Sequence, residues 1–217
     1  LMWIGNLALA GVGIPGTAIG FAGFFSKDVI IEAAYGAHTG VGMYAFWMGI
    51  AAAFLTAFYS WRLLIMTFHG TPRADERTMA HVHESPKIMI IPLLVLATGA
   101  IFAGFVGYES FVGHNASEFW GNAILVLKGH DALENAHHVP VWVKIAPIAV
   151  GFAGIAMAYW FYLLAPGIPA KIAGRFQGIY QFLLNKWYFD ELYDRIFVRP
   201  AFASGRALWK VGDGMLI

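Results

Sequence analysis

Lys27 and Asp28 are the residues best placed to do chemistry. They lie between Phe24-Phe25 and Val29-Ile30-Ile31, so their sequence neighbours supply almost no water or hydrogen bonds. An ionisable side chain in so apolar a stretch is a functional candidate by default. Lysine deprived of water exchanges its proton within the physiological range, whereas arginine stays charged. Asp28 can balance an ammonium at position 27, although consecutive helical residues point about 100° apart and need not pair. The competing reading is a solvated Lys-Asp pair that marks the membrane edge and does nothing further.

The other polar clusters carry less. His81-x-His83 and His137-His138 lack the Cys or acidic spacing of a zinc site, so no metal ligand is assigned and these histidines read as solvated or interfacial. His38 falls in a short outward turn and is a secondary candidate for assisting proton release. Arg62, next to Trp61, reads as a cation snorkelling at the inner boundary. With no cysteine, thiolate-held iron–sulfur clusters and disulfides are excluded on this chain, and no cofactor is expected on it.

These residues must be positioned by membrane helices. Hydrophobic residues form 59% of the chain and charged residues 12%, about half the charge of a soluble domain. The hydrocarbon core is about 30 Å thick and takes about 20 helical residues to cross. Charge-free stretches of that length run over 1–26, 33–61, 88–108 and 145–170, and uninterrupted runs of this kind exclude a barrel of alternating strands. The fold class is therefore all-α, a polytopic transmembrane helix bundle. The first element, 1–37, is too long for one straight span and carries Gly11, Gly13, Pro15, Gly16 and Gly20 in its middle. Proline and glycine there predict a discontinuous helix restarting near Thr17. Backbone opened at such a break calls for ordered water or a protein lining.

The remaining elements are a helix over 38–68, a loop over 69–87, a helix over 88–108, a loop over 109–144 and a helix over 145–166. Arg62, Arg73, Arg77 and Lys87 fall on one side together with Lys171, Arg175, Lys186, Arg195, Arg199, Arg206 and Lys210. The opposite side has Lys27, Lys128 and Lys144. The basic side is thus expected to be cytoplasmic, and the 109–144 loop, with Asn115, Glu118, Asp131 and His137, to face outward. In 167–217, Phe189, Leu192, Tyr193, Ile196 and Phe197 recur on one helical face opposite Lys186, Asp190 and Asp194. This predicts an amphipathic interfacial or lateral helix with a Glu191–Arg195 pair and a kink or restart at Arg199-Pro200. The chain starts and stops inside apolar and amphipathic runs, as a piece of a longer protein would.

Three segments resemble one family. Leu7-Ala8-Leu9-Ala10-Gly11 followed by Gly23-Phe24-Phe25-Ser26-Lys27-Asp28 is similar to the broken helix of the antiporter-like subunits of respiratory complex I (NADH:quinone oxidoreductase). Asn185-Lys186-Trp187-Tyr188-Phe189-Asp190-Glu191-Leu192-Tyr193-Asp194 with Val198-Arg199-Pro200 resembles the start of the lateral helix of the distal member of that group. His83-Glu84-Ser85-Pro86 is a further match, and the stretch Val12 to Ala22 is longer than the family's compact Gly-Ile-Pro-Pro linker. The resemblance implies a proton-translocating subunit, with Lys27 passing the proton and Asp28 tuning it. It also implies no redox chemistry on this chain, other complex I membrane subunits as partners through the lateral helix, and no nucleic acid. It places the chain in the bacterial inner membrane, or the mitochondrial one in a eukaryote. The alternative class is the large subunit of a multisubunit cation/proton antiporter, and a third is an inert structural scaffold.

Overall fold

A computed structural model describes residues 1–17, 19–127 and 131–216, and Lys128 lies outside them. The chain divides into two compact units, Leu1–Pro166 and Gly167–Ile217. All regular structure among the described residues is helical.

In the first unit, α3 (Gly40–Phe68), α5 (Lys87–Phe111) and α8 (Val141–Tyr159, widening into a π-turn over Trp160–Leu164) are long and apolar enough to cross a bilayer. The chain is an integral membrane protein. Two shorter helices, α1 (Met2–Ala10) and α2 (Ala22–Gly36), are the halves of the discontinuous element. The break is longer than expected, because α2 restarts at Ala22 rather than near Thr17. The apolar run 33–61 is also divided: Ala33–Gly36 finishes α2, and α3 begins only after a turn. That turn holds His38 at φ 50° and ends where the Thr39 hydroxyl accepts a hydrogen bond from Gly42 N–H at 2.9 Å, a standard N-cap.

Helix α3 organises the unit. Its seam with α8 is lined by small buried residues, Ala53 and Ala57 against Gly154 and Ala158. A Cβ at Gly154 would run into the Phe54 carbonyl and Ala57. Lipid tails are as apolar as the side chains they replace, so this close backbone approach, not apolar burial, binds the two helices. Two clusters then seat the broken element on α3. Ile31 of α2 packs with Phe46, Ile50 and Val143. Leu7 of α1 packs with Trp61, Leu64, Ile65 and Ala158. Trp61 is therefore a core residue and α3 continues past it, while Arg62 is exposed with its guanidinium 5.4 Å above the Tyr162 ring.

Three short helices follow the long ones: α4 (Glu76–Ala80), α6 (Ala116–Trp120) and α7 (Ala132–His137). The last is fastened to three different partners. Asn135 Nδ2 donates to the Gly36 carbonyl at 3.0 Å, His137 Nε2 meets the Val112 carbonyl at 3.2 Å, and Lys144 Nζ donates to the His137 carbonyl at 3.0 Å.

The second unit carries α9 (Ile168–Arg175), α10 (Gln177–Leu184), α11 (Phe189–Tyr193) and α12 (Arg199–Ala207). The break expected at Arg199-Pro200 lies earlier, where Lys186, Trp187 and Tyr188 all take positive φ and Asn185 Nδ2 donates to Tyr188 Oη at 2.9 Å. The chain stays helical through Pro200 because a π-turn over Asp194–Val198 widens the backbone just ahead of the residue without an N–H. That turn also changes the ion pairing. Arg199 Nε reaches Asp194 at 2.6 Å across five residues and Lys186 reaches Asp190 at 2.7 Å, whereas the expected Glu191–Arg195 bridge does not form. The hydrogen-bonded Asp190 carboxylate holds the Lys186 ammonium above its ordinary range.

Candidate functional site

The site forms where α1 ends. Gly11 takes the left-handed conformation (φ 67°, ψ 47°), open to glycine without cost. Its N–H bonds to the Ala8 carbonyl and the Val12 N–H to the Leu7 carbonyl, both at 3.1 Å. This Schellman cap satisfies two of the terminal carbonyls and leaves that of Ala10 without a backbone partner among the described residues.

The chain then makes a small hairpin. Ile14 N–H donates to Ile19 O at 2.9 Å, Phe21 N–H to Val12 O at 3.0 Å, and Thr17 Oγ1 to Ile14 O at 2.8 Å, around the Pro15-Gly16 turn. Gly13 and Gly20 pair across it, and a Cβ on either would strike the Phe24 ring. Much of the break's backbone thus bonds to itself, where the sequence suggested reliance on water.

The hairpin returns the chain so that α2 passes against α1. At Gly23 the approach is so close that a Cβ would collide with the Ala8 carbonyl. Lys27, one turn on, sends its side chain back toward the α2 N-terminus, as helical side chains do. Its Nζ donates to the orphaned Ala10 carbonyl at 2.5 Å. A cation at a helix C-terminus also meets the negative end of the helix dipole. The Lys27 side chain is 21% exposed and its Nζ lies 3.8 Å from Asp28 Oδ1. Asp28 is 4% exposed, and neither carboxylate oxygen accepts a hydrogen bond from a described residue. The adjacent pair thus does meet, at ion-pair rather than hydrogen-bond distance.

Asp28 faces a cavity of about 390 Å³ between α2, α5 and α8, lined among others by Glu32, Tyr108, Glu109, His137 and Lys144. Room for on the order of ten waters, at about 30 Å³ each, together with ionisable walls, suits proton movement.

No family model matches the chain. Individual relatives do. The chain is 36% identical to NADH-quinone oxidoreductase subunit L of Rhodobacter capsulatus, over its whole length and 38% of that relative. It is 35% identical to the subunit L of Rickettsia bellii over 91% of the chain and 29% of the relative. It is 34% identical to NADH-ubiquinone oxidoreductase chain 5 of Marchantia polymorpha over 94% of the chain and 30% of the relative. It belongs to the subunit L/chain 5 family. The chain spans about a third of the length of these curated relatives and matches their C-terminal part.

Within this subunit L-type fold, Lys27 and Asp28 sit together at the break. His38 is exposed in the turn before α3 and does not line the cavity. His137, which reads from sequence as a solvated or interfacial histidine of the outer loop, lines it. Glu32, Glu109 and Lys144 were not singled out by sequence. Glu32 had a usable signal, since it follows Asp28 by four residues and shares its helix face. Glu109 and Lys144 had none, because tertiary packing alone brings them to α2.

Proposed function

We propose that this chain is the C-terminal part of the distal proton-translocating membrane subunit of NADH:quinone oxidoreductase, in a bacterial or mitochondrial inner membrane. Lys27 carries the proton at the helix break and Asp28 tunes its release. Electron transfer occurs on other subunits, and this chain holds no redox group. The 109–144 loop faces outward, and the tail beyond Gly167 docks other membrane subunits with its amphipathic helices.

The observation that carries this reading is the placement of Lys27. One ammonium holds the orphaned carbonyl of α1 while lying beside a buried carboxylate that opens on a polar cavity. A group so placed has both a proton to give and somewhere to send it.

The test is proton uptake into vesicles reconstituted with the whole complex, scored against electron transfer in the same preparation. Lys27→Ala lowers the proton-to-electron ratio while the complex stays assembled, and Lys27→Arg substitutes poorly because guanidinium does not deprotonate. A normal ratio in Lys27→Ala would make the lysine a boundary charge and end this reading.

A further inference from the structure

The cavity beyond Asp28 has a direction. Its near end is Asp28 with Pro15, Gly16 and Thr17 of the break, and Glu32 is about 6 Å further along the α2 axis on the same face. Its far end is walled by Glu109, at the end of α5, by Lys144, at the start of α8, and by His137. All three belong to the end of the bundle that carries the 109–144 loop. There α7 is tied to α2, α5 and α8 by its three hydrogen bonds, which hold His137 and the Lys144 ammonium at the mouth. Between these polar groups the lining is apolar, with Phe24, Phe25 and Val29 from α2 itself and Phe105 from α5. A fixed ammonium among the carboxylates disfavours a metal cation as occupant, whereas a proton needs only acceptors in sequence.

We propose that Glu32 is the relay residue between the Lys27–Asp28 pair and the loop side of the membrane, and that Lys144 sets its release at the mouth. This rests on the reading of Lys27 above. The Lys27 Nζ–H bond breaks and the proton passes by way of Asp28 and cavity water to the Glu32 carboxylate, where an O–H bond forms. That O–H bond then breaks to water at the mouth, restoring the carboxylate beside the Lys144 cation. No electrons move, and Lys144 stays charged throughout.

The experiment uses the intact complex in vesicles and compares Glu32→Gln, Glu32→Asp, Lys144→Gln and Lys27→Ala. The expected result is a proton-to-electron ratio in Glu32→Gln as low as in Lys27→Ala, with substantial recovery in Glu32→Asp and an intermediate loss in Lys144→Gln. Added formate, a small weak acid able to enter a wet cavity, restores part of the ratio in Glu32→Gln. A merely structural glutamate would show neither recovery.

A normal ratio in Glu32→Gln beside a low one in Lys27→Ala overturns the relay and leaves the Lys27 reading standing. Normal ratios in both overturn the two together. A second readout does not depend on pumping. Val29→Cys, on the cavity wall, is expected to react with a membrane-impermeant thiol reagent from the loop side, above the labelling of the unsubstituted complex. Ile30→Cys, on the exposed apolar face, is expected not to react. An unreactive Val29→Cys would likewise overturn the relay, even if the Glu32 variants fail to assemble.

Discussion

Gly23→Ala tests whether the crossing of α1 and α2 is what places Lys27. The added methyl meets the Ala8 carbonyl, a backbone group that cannot swing aside as a long side chain would. Strain of this kind typically costs about 1–3 kcal/mol, and the gain in helix propensity of Ala over Gly returns at most about 1 kcal/mol. The cheapest relief is to separate the two helices, which draws the α1 C-terminus away from Lys27. A hydrogen bond from a charged donor contributes roughly 1.5–3 kcal/mol, so strain and bond are of the same size. Because 1.4 kcal/mol is a factor of ten, the Lys27–Ala10 bond should be lost in a large share of molecules. Assembly on native gels should persist while the proton-to-electron ratio falls toward that of Lys27→Ala. Gly5→Ala and Gly99→Ala, where a Cβ meets nothing within 4 Å, are the controls and should be silent. A Gly23→Ala complex with a normal ratio would refute the argument that this crossing sets the lysine.

Asn135→Ala removes the bond from α7 to the Gly36 carbonyl, at a cost of about 1 kcal/mol; it should raise protease cleavage within 131–139 severalfold while leaving α3 and α8 protected. Paired Leu192→Asp and Ile196→Asp changes, which put charge on the apolar face of the tail, should loosen the membrane part of the complex on native gels with NADH dehydrogenase activity retained. Unchanged assembly would remove the tail from the list of docking elements.

What could be read from sequence depended on how local its cause was. Pro15 among four glycines announces a break, and Lys27-Asp28 in apolar surroundings announces a site. The length of the break was not legible, because it depends on Gly13 pairing with Gly20 and on Phe24 folding over both. The left-handed run Lys186–Tyr188 contains no Gly, Asn or Pro to betray it and is set by contacts such as Asn185 with Tyr188. The polar wall of the cavity joins residues more than a hundred positions apart, from Asp28 to Lys144. The packing of α2, α5 and α8 around the same space creates it, and no spacing rule reports that.

The unbroken α3 serves as a gauge for its broken neighbour. Ile31 registers against Phe46 and Ile50, and Leu7 against the stretch from Trp61 to Ile65. Fifteen residues separate Phe46 from Trp61, so α3 fixes the spacing of the two footholds at about 22 Å. The hairpin between them bears none of that measurement. Residues added to or removed from its tip near Pro15-Gly16 would reshape the loop and the near end of the cavity it lines, leaving both half-helices on their marks. A single residue inserted in the middle of α3 would turn one foothold by about 100° relative to the other and carry Lys27 away from the carbonyl it holds. Length variation in such chains is thus permitted at the interruption and forbidden in the straight helix beside it.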